Sequence, residues 1–204
     1  MYYGGNNHGS IVEVNDAWYV FYHRHTNGTT FSRQGCMEPI AFQDDGAIQQ
    51  AEMTSCGPNN GSLMGRGHEY PAYIACNLFC KDEALYTAQT AWMDNRYPKI
   101  TQDGKDGDEE IGYIANMMDS AVAGFKYFDC FEIKKVVIKV RGYCRGYFEV
   151  KTSWDGPVLG KIYVDFTNVW KEYSANIKIP DGKQALYFAY FGEGRASLAS
   201  FTLE

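Results

Sequence analysis

The sequence lacks three features that would point to common functions: an excess of positive charge, a long apolar run and a metal-binding cysteine pattern. It has 19 Lys and Arg against 25 Asp and Glu, a net charge of −6, so the chain as a whole does not attract nucleic-acid phosphates or anionic lipids. No segment approaches the ~18 uninterrupted apolar residues of a transmembrane helix, and residues 1–10 do not resemble a signal peptide. We therefore expect an untargeted, soluble chain with no nucleic-acid or membrane partner.

The spacing of the six cysteines argues against a zinc site. It contains neither a CxxC pair nor two such pairs in series, which structural zinc sites use. Cys76 and Cys80 lie in an apolar run, which is typical of buried thiols. We expect free thiols, with a disulfide framework as the alternative. The cysteines are Cys36, Cys56, Cys76, Cys80, Cys130 and Cys144.

Helix signals are scarce, and the composition favours strands and tight turns. Aromatic residues make up 16% of the chain, and 21 glycines are spread along it, so we expect an all-β fold. Ser10–Val14 and Ala17–His23 alternate on either side of an Asn-Asp turn, which predicts a hairpin. The segments around Phe31–Gln34 and the turn at 43–46 predict a second antiparallel pair. These four short strands have the size of one β-propeller blade.

Glycine, proline and asparagine at 57–62 interrupt this pattern and predict a domain boundary. Nine further segments follow at intervals typical of an antiparallel β-sandwich. The one helical turn that we expect lies near Asp82–Tyr86. The predicted strands are 73–79, 111–116, 121–128, 136–141, 146–152, 161–166, 174–179, 185–190 and 197–203.

Motifs in the first part of the chain resemble glycoside hydrolase family 43. They are Asn6–Ser10, Trp18–His23, Phe31–Gln34 and Ala51–Gly57, which occur in the family's order and spacing. The family consists of five-bladed β-propeller enzymes that act on arabinose- and xylose-containing polysaccharides. The resemblance covers only the last blade.

The second part is similar to the β-sandwich that follows the propeller in many such enzymes, and to family 6 carbohydrate-binding modules. The similar segments are Tyr70–Leu78, Ile100–Gly104, Gly112–Ile114 and Ala123–Phe128. The resemblance implies a remnant four-stranded blade at 1–62, followed by a jelly-roll-like antiparallel β-sandwich at 63–204.

The family hydrolyses glycosides with inversion, using an acid and a base separated by the attacking water. The resemblance places its three catalytic carboxylates upstream of every motif matched here, so we assign no catalytic residue and expect the chain alone to be inactive. Glu38 and Glu52 are carboxylates in a turn-rich region, where a structural role is the more common one.

The resemblance gives His8 and Arg33 a role in the sugar pocket of a complete propeller. It implies that His8 lies near the propeller axis, where a calcium ion or a water cluster is held, which makes His8 the candidate metal residue. It also implies that Arg33 lines the pocket, where a guanidinium can bind hydroxyls or a carboxylate. A turn histidine and an exposed arginine are the structural alternatives.

Carbohydrate-binding sandwiches stack sugars on aromatic rings. By resemblance Tyr113 matches one stacking residue, and we add Tyr127 as a second carbohydrate-binding candidate. The second wall of the binding clamp is a tryptophan in this family, whereas Trp170 aligns with a buried structural tryptophan. The clamp is therefore expected to be incomplete, and both tyrosines have a purely structural alternative.

The acidic run Asp103–Glu110 offers oxygen ligands on a glycine-rich turn, which suits calcium. Its spacing does not match an EF-hand, so a solvated loop is the alternative. We expect no required cofactor, and calcium is the one cofactor that the acidic run allows.

These features predict part of a hemicellulose-degrading glycosidase of the β-xylosidase or α-L-arabinofuranosidase type, acting in carbohydrate recognition or in support of the propeller. The expected ligands are plant cell-wall xylan and arabinoxylan, and the missing blades or another chain are the expected protein partners. The alternatives are a purely structural sandwich and one piece of a split glycosidase. The parent enzyme could be secreted or cytoplasmic.

Overall fold

The computed structural model describes residues 8–59, 61–80, 97–105 and 112–204, and these residues form three sheets that are antiparallel except for the parallel pairing of one short strand at Leu63–Met64. The all-β prediction is confirmed. A single turn of 3-10 helix at Ala72–Ile74 is the one helical element of the described residues, and none of their helices is long and apolar enough to cross a membrane. The helical turn predicted near Asp82–Tyr86 lies outside the described residues.

The first sheet, here the blade sheet, contains strands β1 (Ser10–Val14), β2 (Ala17–His25) and β3 (Arg33–Ile40) in that order. The predicted hairpin is present, with Val14 opposite Ala17 across the turn. In place of the predicted fourth strand, residues 41–49 form a tight hairpin with a single bridge between Phe42 and Ile48. The turn closes too soon for a longer ladder, because the Gln43 N–H already donates to the Ala47 carbonyl.

The other two sheets pack face to face and form the β-sandwich. The first sandwich sheet has the order β13-β10-β15-β8-β7, with β5 beside β15, and the second has the order β12-β11-β14-β9-β4, with β6 beside β9. The strands are β4 (Leu63–Met64), β5 (Glu69–Pro71), β6 (Asn77–Phe79), β7 (Lys99–Gln102), β8 (Gly112–Met117), β9 (Val122–Cys130), β10 (Lys135–Gly142), β11 (Cys144–Lys151), β12 (Gly160–Val164), β13 (Thr167–Asn176), β14 (Gly182–Gly194) and β15 (Ala196–Leu203).

The sandwich holds the hydrophobic core, because alternate residues of its strands point inward. Phe201 is 1% exposed and packs against three other buried phenylalanines, Phe125, Phe128 and Phe188. The six cysteines are free, and five of them are buried. Burial raises the pKa of the Cys130 and Cys144 thiols to about 11, so these thiols stay protonated at neutral pH.

The blade sheet has no comparable core and is attached to the sandwich by polar contacts. Arg24, at 3% exposure, donates hydrogen bonds to the carbonyls of Tyr73 and Ala75 at the start of the sandwich. The Asn27 N–H donates to the Ile100 carbonyl at 2.9 Å. These bonds satisfy buried donors and acceptors on both sides of the junction.

The first strand that joins a sandwich sheet begins at Leu63. The division of the chain at residue 62 stays a prediction.

Candidate functional site

The outer side of the second sandwich sheet carries a row of aromatic side chains, which we call the aromatic face. Strand alternation explains it: Phe148, Ile162 and Phe188 point into the core, so their neighbours along each strand point outward. The residues of the face are Phe79, Tyr147, Trp154, Tyr163, Tyr187 and Phe191.

Strand register brings these rings together. Tyr147 lies directly opposite Tyr163 on one neighbouring strand and opposite Phe191 on the other, with ring centroids 5.7 and 5.9 Å apart. Trp154 follows β11 and packs on Phe79 at 4.0 Å and on Tyr187 at 6.3 Å. The rings therefore form two groups on the same side of the sheet, Tyr147 with Tyr163 and Phe191, and Trp154 with Phe79 and Tyr187.

Two of the six rings are open to solvent. Tyr163 is 70% exposed and Trp154 52% exposed. A groove of about 370 Å³ runs beside Trp154, Tyr187 and Phe191. A surface of this kind can stack on the apolar side of a sugar ring.

Charged groups lie between the rings. The Glu149 carboxylate is 3.4 Å from the Lys161 ammonium and 3.8 Å from the Lys151 ammonium. Lys161 also lies 3.9 Å from the centroid of the Tyr147 ring, and the pKa of this lysine is raised by contact with Tyr147 first and with Glu149. These groups can form the directional hydrogen bonds that sugar hydroxyls require.

Tyr113 lies elsewhere, on the outer side of the first sandwich sheet. Its ring meets the Trp170 ring edge to face, with centroids 5.2 Å apart and an interplanar angle of 70°. Trp170 is half-buried in this contact, and its expected match to a buried structural tryptophan stays a prediction. The alternation of β13 and a register shift in β10 place it beside Tyr113 and Arg141.

Tyr127 is engaged by the segment that follows the blade sheet. Its hydroxyl donates to both carboxylate oxygens of Glu52 at 3.0 Å, and Lys126 forms an ion pair with Glu52 at 2.9 Å. The hydrogen bond from Lys126 lowers the pKa of Glu52, while burial and the bond to Glu52 raise the pKa of Tyr127. The structure therefore brings Tyr127 and Glu52 together, away from Tyr113.

Glu38 is 2% exposed and accepts hydrogen bonds from the Thr54 N–H and hydroxyl at 2.7 Å each and from the Tyr22 hydroxyl at 3.2 Å. These contacts close the end of the blade sheet, which is a structural role.

His8 and Arg33 lie toward one end of the blade sheet. The His8 ring is 4.8 Å from His23, which is 5.6 Å from His25. Desolvation, followed by the nearby charges of His8 and Arg33, lowers the pKa of His23. Arg33 is exposed beside a cleft of about 510 Å³ between the β2–β3 loop and the sandwich.

No metal is assigned by this arrangement. Within the part of the chain that the structure describes, no group of three His, Cys, Asp or Glu residues could hold an ion. Of the predicted acidic run, Asp103 binds Arg141 and Tyr113, and residues 106–110 lie outside the described ranges.

The aromatic face was not predicted from the sequence. The available signal was the outward position of Tyr147, Tyr163 and Tyr187, each next to an inward apolar residue of its strand. That signal becomes a site only when the strands are aligned, because the rings are distant in sequence.

No family model matches the chain. Individual relatives and solved structures confirm its resemblance to a family 43 enzyme followed by a family 6-like sandwich. It is 73% identical over its whole length to a xylosidase/arabinosidase of Thermoclostridium stercorarium, of which it covers 43%, and 24% identical to an arabinoxylan arabinofuranohydrolase of Paenibacillus polymyxa, of which it covers 30%. The chain thus spans less than half the length of these relatives.

Solved structures show the same fold. A glycoside hydrolase family 43 arabinoxylan arabinofuranohydrolase from Bacillus subtilis, in complex with cellotetraose, matches 99% of this chain and 42% of its own at TM-score 0.60 and 17% identity. A module from Clostridium stercorarium in complex with cellobiose matches 71% of this chain and 98% of its own at TM-score 0.55 and 15% identity. A family 6 carbohydrate-binding module from Clostridium cellulolyticum, in complex with xylose, matches 67% of this chain at TM-score 0.52 and 14% identity.

Proposed function

We propose that the chain is a segment of a hemicellulose-degrading glycoside hydrolase related to family 43, of the β-xylosidase or α-L-arabinofuranosidase type. In this proposal its β-sandwich binds the polysaccharide. The close relationship to a xylosidase/arabinosidase supports the enzyme class. The proposed ligands are xylan and arabinoxylan.

The aromatic face is the observation that carries the binding role. A neutral polysaccharide offers no charge to attract, so affinity must come from ring stacking and from hydrogen bonds to hydroxyls. Tyr163 and Trp154 are open to solvent, and Glu149 supplies hydrogen-bond acceptors between the rings. The face is also wide enough to contact several sugar units, because it crosses three strands.

Isothermal titration of the chain with xylohexaose tests this role. We expect saturable binding that Trp154→Ala weakens at least tenfold, about 1.4 kcal/mol. Phe131→Ala is the matched control, because Phe131 is an exposed aromatic residue, 65% exposed, that lies off the aromatic face. Equal binding by the wild type and by Trp154→Ala would remove the aromatic face from the proposal.

A second role, support of the propeller, is favoured by the junction between the blade sheet and the sandwich. Arg24 and Glu52 both reach across it. The blade sheet also exposes apolar residues, including Ile11 at 44% and Val14 at 46%, on a strand that pairs on one side only. We propose that the rest of the parent propeller, or another chain, covers this edge.

We propose that His8 and Arg33 contribute to the sugar pocket of that complete propeller. Sugar release from arabinoxylan by the isolated chain would contradict the assignment of catalysis to other parts of the parent enzyme.

A further inference from the structure

The space between Tyr113 and Trp170 is too narrow for a sugar. A sugar ring held between two aromatic rings contacts each at carbon distances of about 3.5–4.0 Å, so the two rings must lie about 7–8 Å apart. Here the centroids are 5.2 Å apart and the ring planes are inclined by 70°. The two rings therefore contact each other instead of leaving room for a ligand.

Arg141 covers the same two rings. Its guanidinium carbon lies 4.3 Å from the Trp170 centroid and 5.1 Å from the Tyr113 centroid. A guanidinium binds the faces of aromatic rings strongly, and these are the faces on which a sugar would stack. The arginine side chain is 27% exposed, so the remaining solvent access is small.

Asp103 fixes this arrangement from the other side. One of its carboxylate oxygens is 2.7 Å from Nη2 of Arg141 and accepts the Tyr113 hydroxyl at 3.0 Å. The tyrosine ring and the guanidinium are thereby tied to the same atom. A movement of Tyr113 away from Trp170 would break that hydrogen bond.

We infer that Arg141, held by Asp103, closes the Tyr113–Trp170 pair to sugars and so determines that the aromatic face is the glycan-binding surface of the sandwich. The second half of this inference rests on the proposed function. Lys161 shows the contrast, because it covers the Tyr147 ring alone and leaves Tyr163 and Trp154 exposed. The closed pair and the open face lie on opposite sides of the sandwich.

Arg141→Ala tests the closure, by titration with xylohexaose. We expect Tyr113→Ala to change wild-type affinity less than twofold. We expect Arg141→Ala to add a second binding event, or to tighten binding at least threefold, and we expect the double variant Arg141→Ala/Tyr113→Ala to lose that gain. Arg145→Ala is the matched control, because the Arg145 side chain forms an exposed ion pair with Asp165 at 3.0 Å and its guanidinium lies over no aromatic ring of the described residues. It should bind as the wild type does.

Two results would overturn the inference. One is a loss of wild-type binding in Tyr113→Ala as large as that in Trp154→Ala. The other is an unchanged titration of Arg141→Ala when its circular dichroism and thermal unfolding match the wild type. Failure of the proposed function gives a different result. In that case the wild type does not bind xylohexaose, but Arg141→Ala still gains binding that depends on Tyr113, because the closure is independent of the aromatic face.

Discussion

Removing the buried guanidinium of Arg24 should loosen the blade sheet while leaving the sandwich intact. Arg24→Met keeps an apolar stem of similar length and deletes every hydrogen-bond donor. The Tyr73 carbonyl keeps a weaker bond from the Gln34 amide at 3.3 Å, whereas the Ala75 carbonyl loses the bond from Arg24. Leaving one buried carbonyl unsatisfied costs about 1–3 kcal/mol, and with the lost bond to Tyr73 we expect about 2–4 kcal/mol.

Hydrogen exchange measured by mass spectrometry can locate that loss. The sheet opens locally with a free energy that sets the exchange rate of its amides, so 2–4 kcal/mol corresponds to roughly 30- to 700-fold faster exchange. We expect this change in peptides from β2 and β3, and little change in β10, β14 and β15, which surround a separate core.

The neighbouring strand offers a control. Arg33 is exposed on β3 and its side chain forms no hydrogen bond or ion pair within the described residues, so Arg33→Met should leave exchange unchanged. If β2 and β3 exchange at the wild-type rate in Arg24→Met, the contacts to Tyr73 and Ala75 do not hold the blade sheet, and our account of the junction is wrong.

Two further predictions concern the sandwich. Gly146 lies opposite Gly192, and a Cβ at Gly146 would lie 2.1 Å from the Phe191 carbonyl oxygen. Gly146→Ala should therefore lower the free energy of unfolding, measured in urea, by about 3 kcal/mol. Gly35→Ala is the control, because a Cβ there meets nothing within 4 Å, and it should change the free energy of unfolding by less than about 0.5 kcal/mol. Equal effects of the two substitutions would contradict the close backbone approach. The hydrogen bond from Arg141 lowers the pKa of Asp103. The contact therefore stabilises the fold fully at any pH above the ordinary pKa of an aspartate, and this stabilisation is lost as the pH falls through the lowered pKa of Asp103. Tryptophan fluorescence should therefore stay constant from neutral pH to about pH 4 and change below it, and Asp103→Asn should lack that transition.

The strands of the sandwich could be predicted because their side chains alternate. The predicted segment 136–141 corresponds to β10 at Lys135–Gly142, where Val136, Ile138 and Val140 point inward. Strand β7, Lys99–Gln102, was missed, because its four residues carry no pattern of their own and are held by pairing with β8. Alternation in the sequence predicts which residues share a side of a strand, but it does not predict short strands that form only by pairing with a neighbouring strand.

The candidate site could be predicted only in part. Tyr113 was identified from its motif, but whether its ring is open to a ligand depends on Arg141 and Asp103, which come from other strands and loops. Arg24 lies just beyond the predicted strand Ala17–His23, whereas β2 continues to His25 and buries Arg24. In both cases the decisive contact joins residues far apart in sequence. Strand register creates that contact, and sequence spacing does not reveal the register.

The order of strands in the second sandwich sheet gives the aromatic face a direction. The face begins with Tyr163 on the edge strand β12 and continues through β11 and β14. The next strand of the sheet is β9, where Lys126 binds Glu52 of the segment that follows the blade sheet. A polysaccharide lying across the strands would therefore extend toward the blade sheet. Tethering a substrate in this way raises its effective concentration at the neighbouring domain without any new contact to the reacting sugar, so the sandwich would act as a guide as well as an anchor.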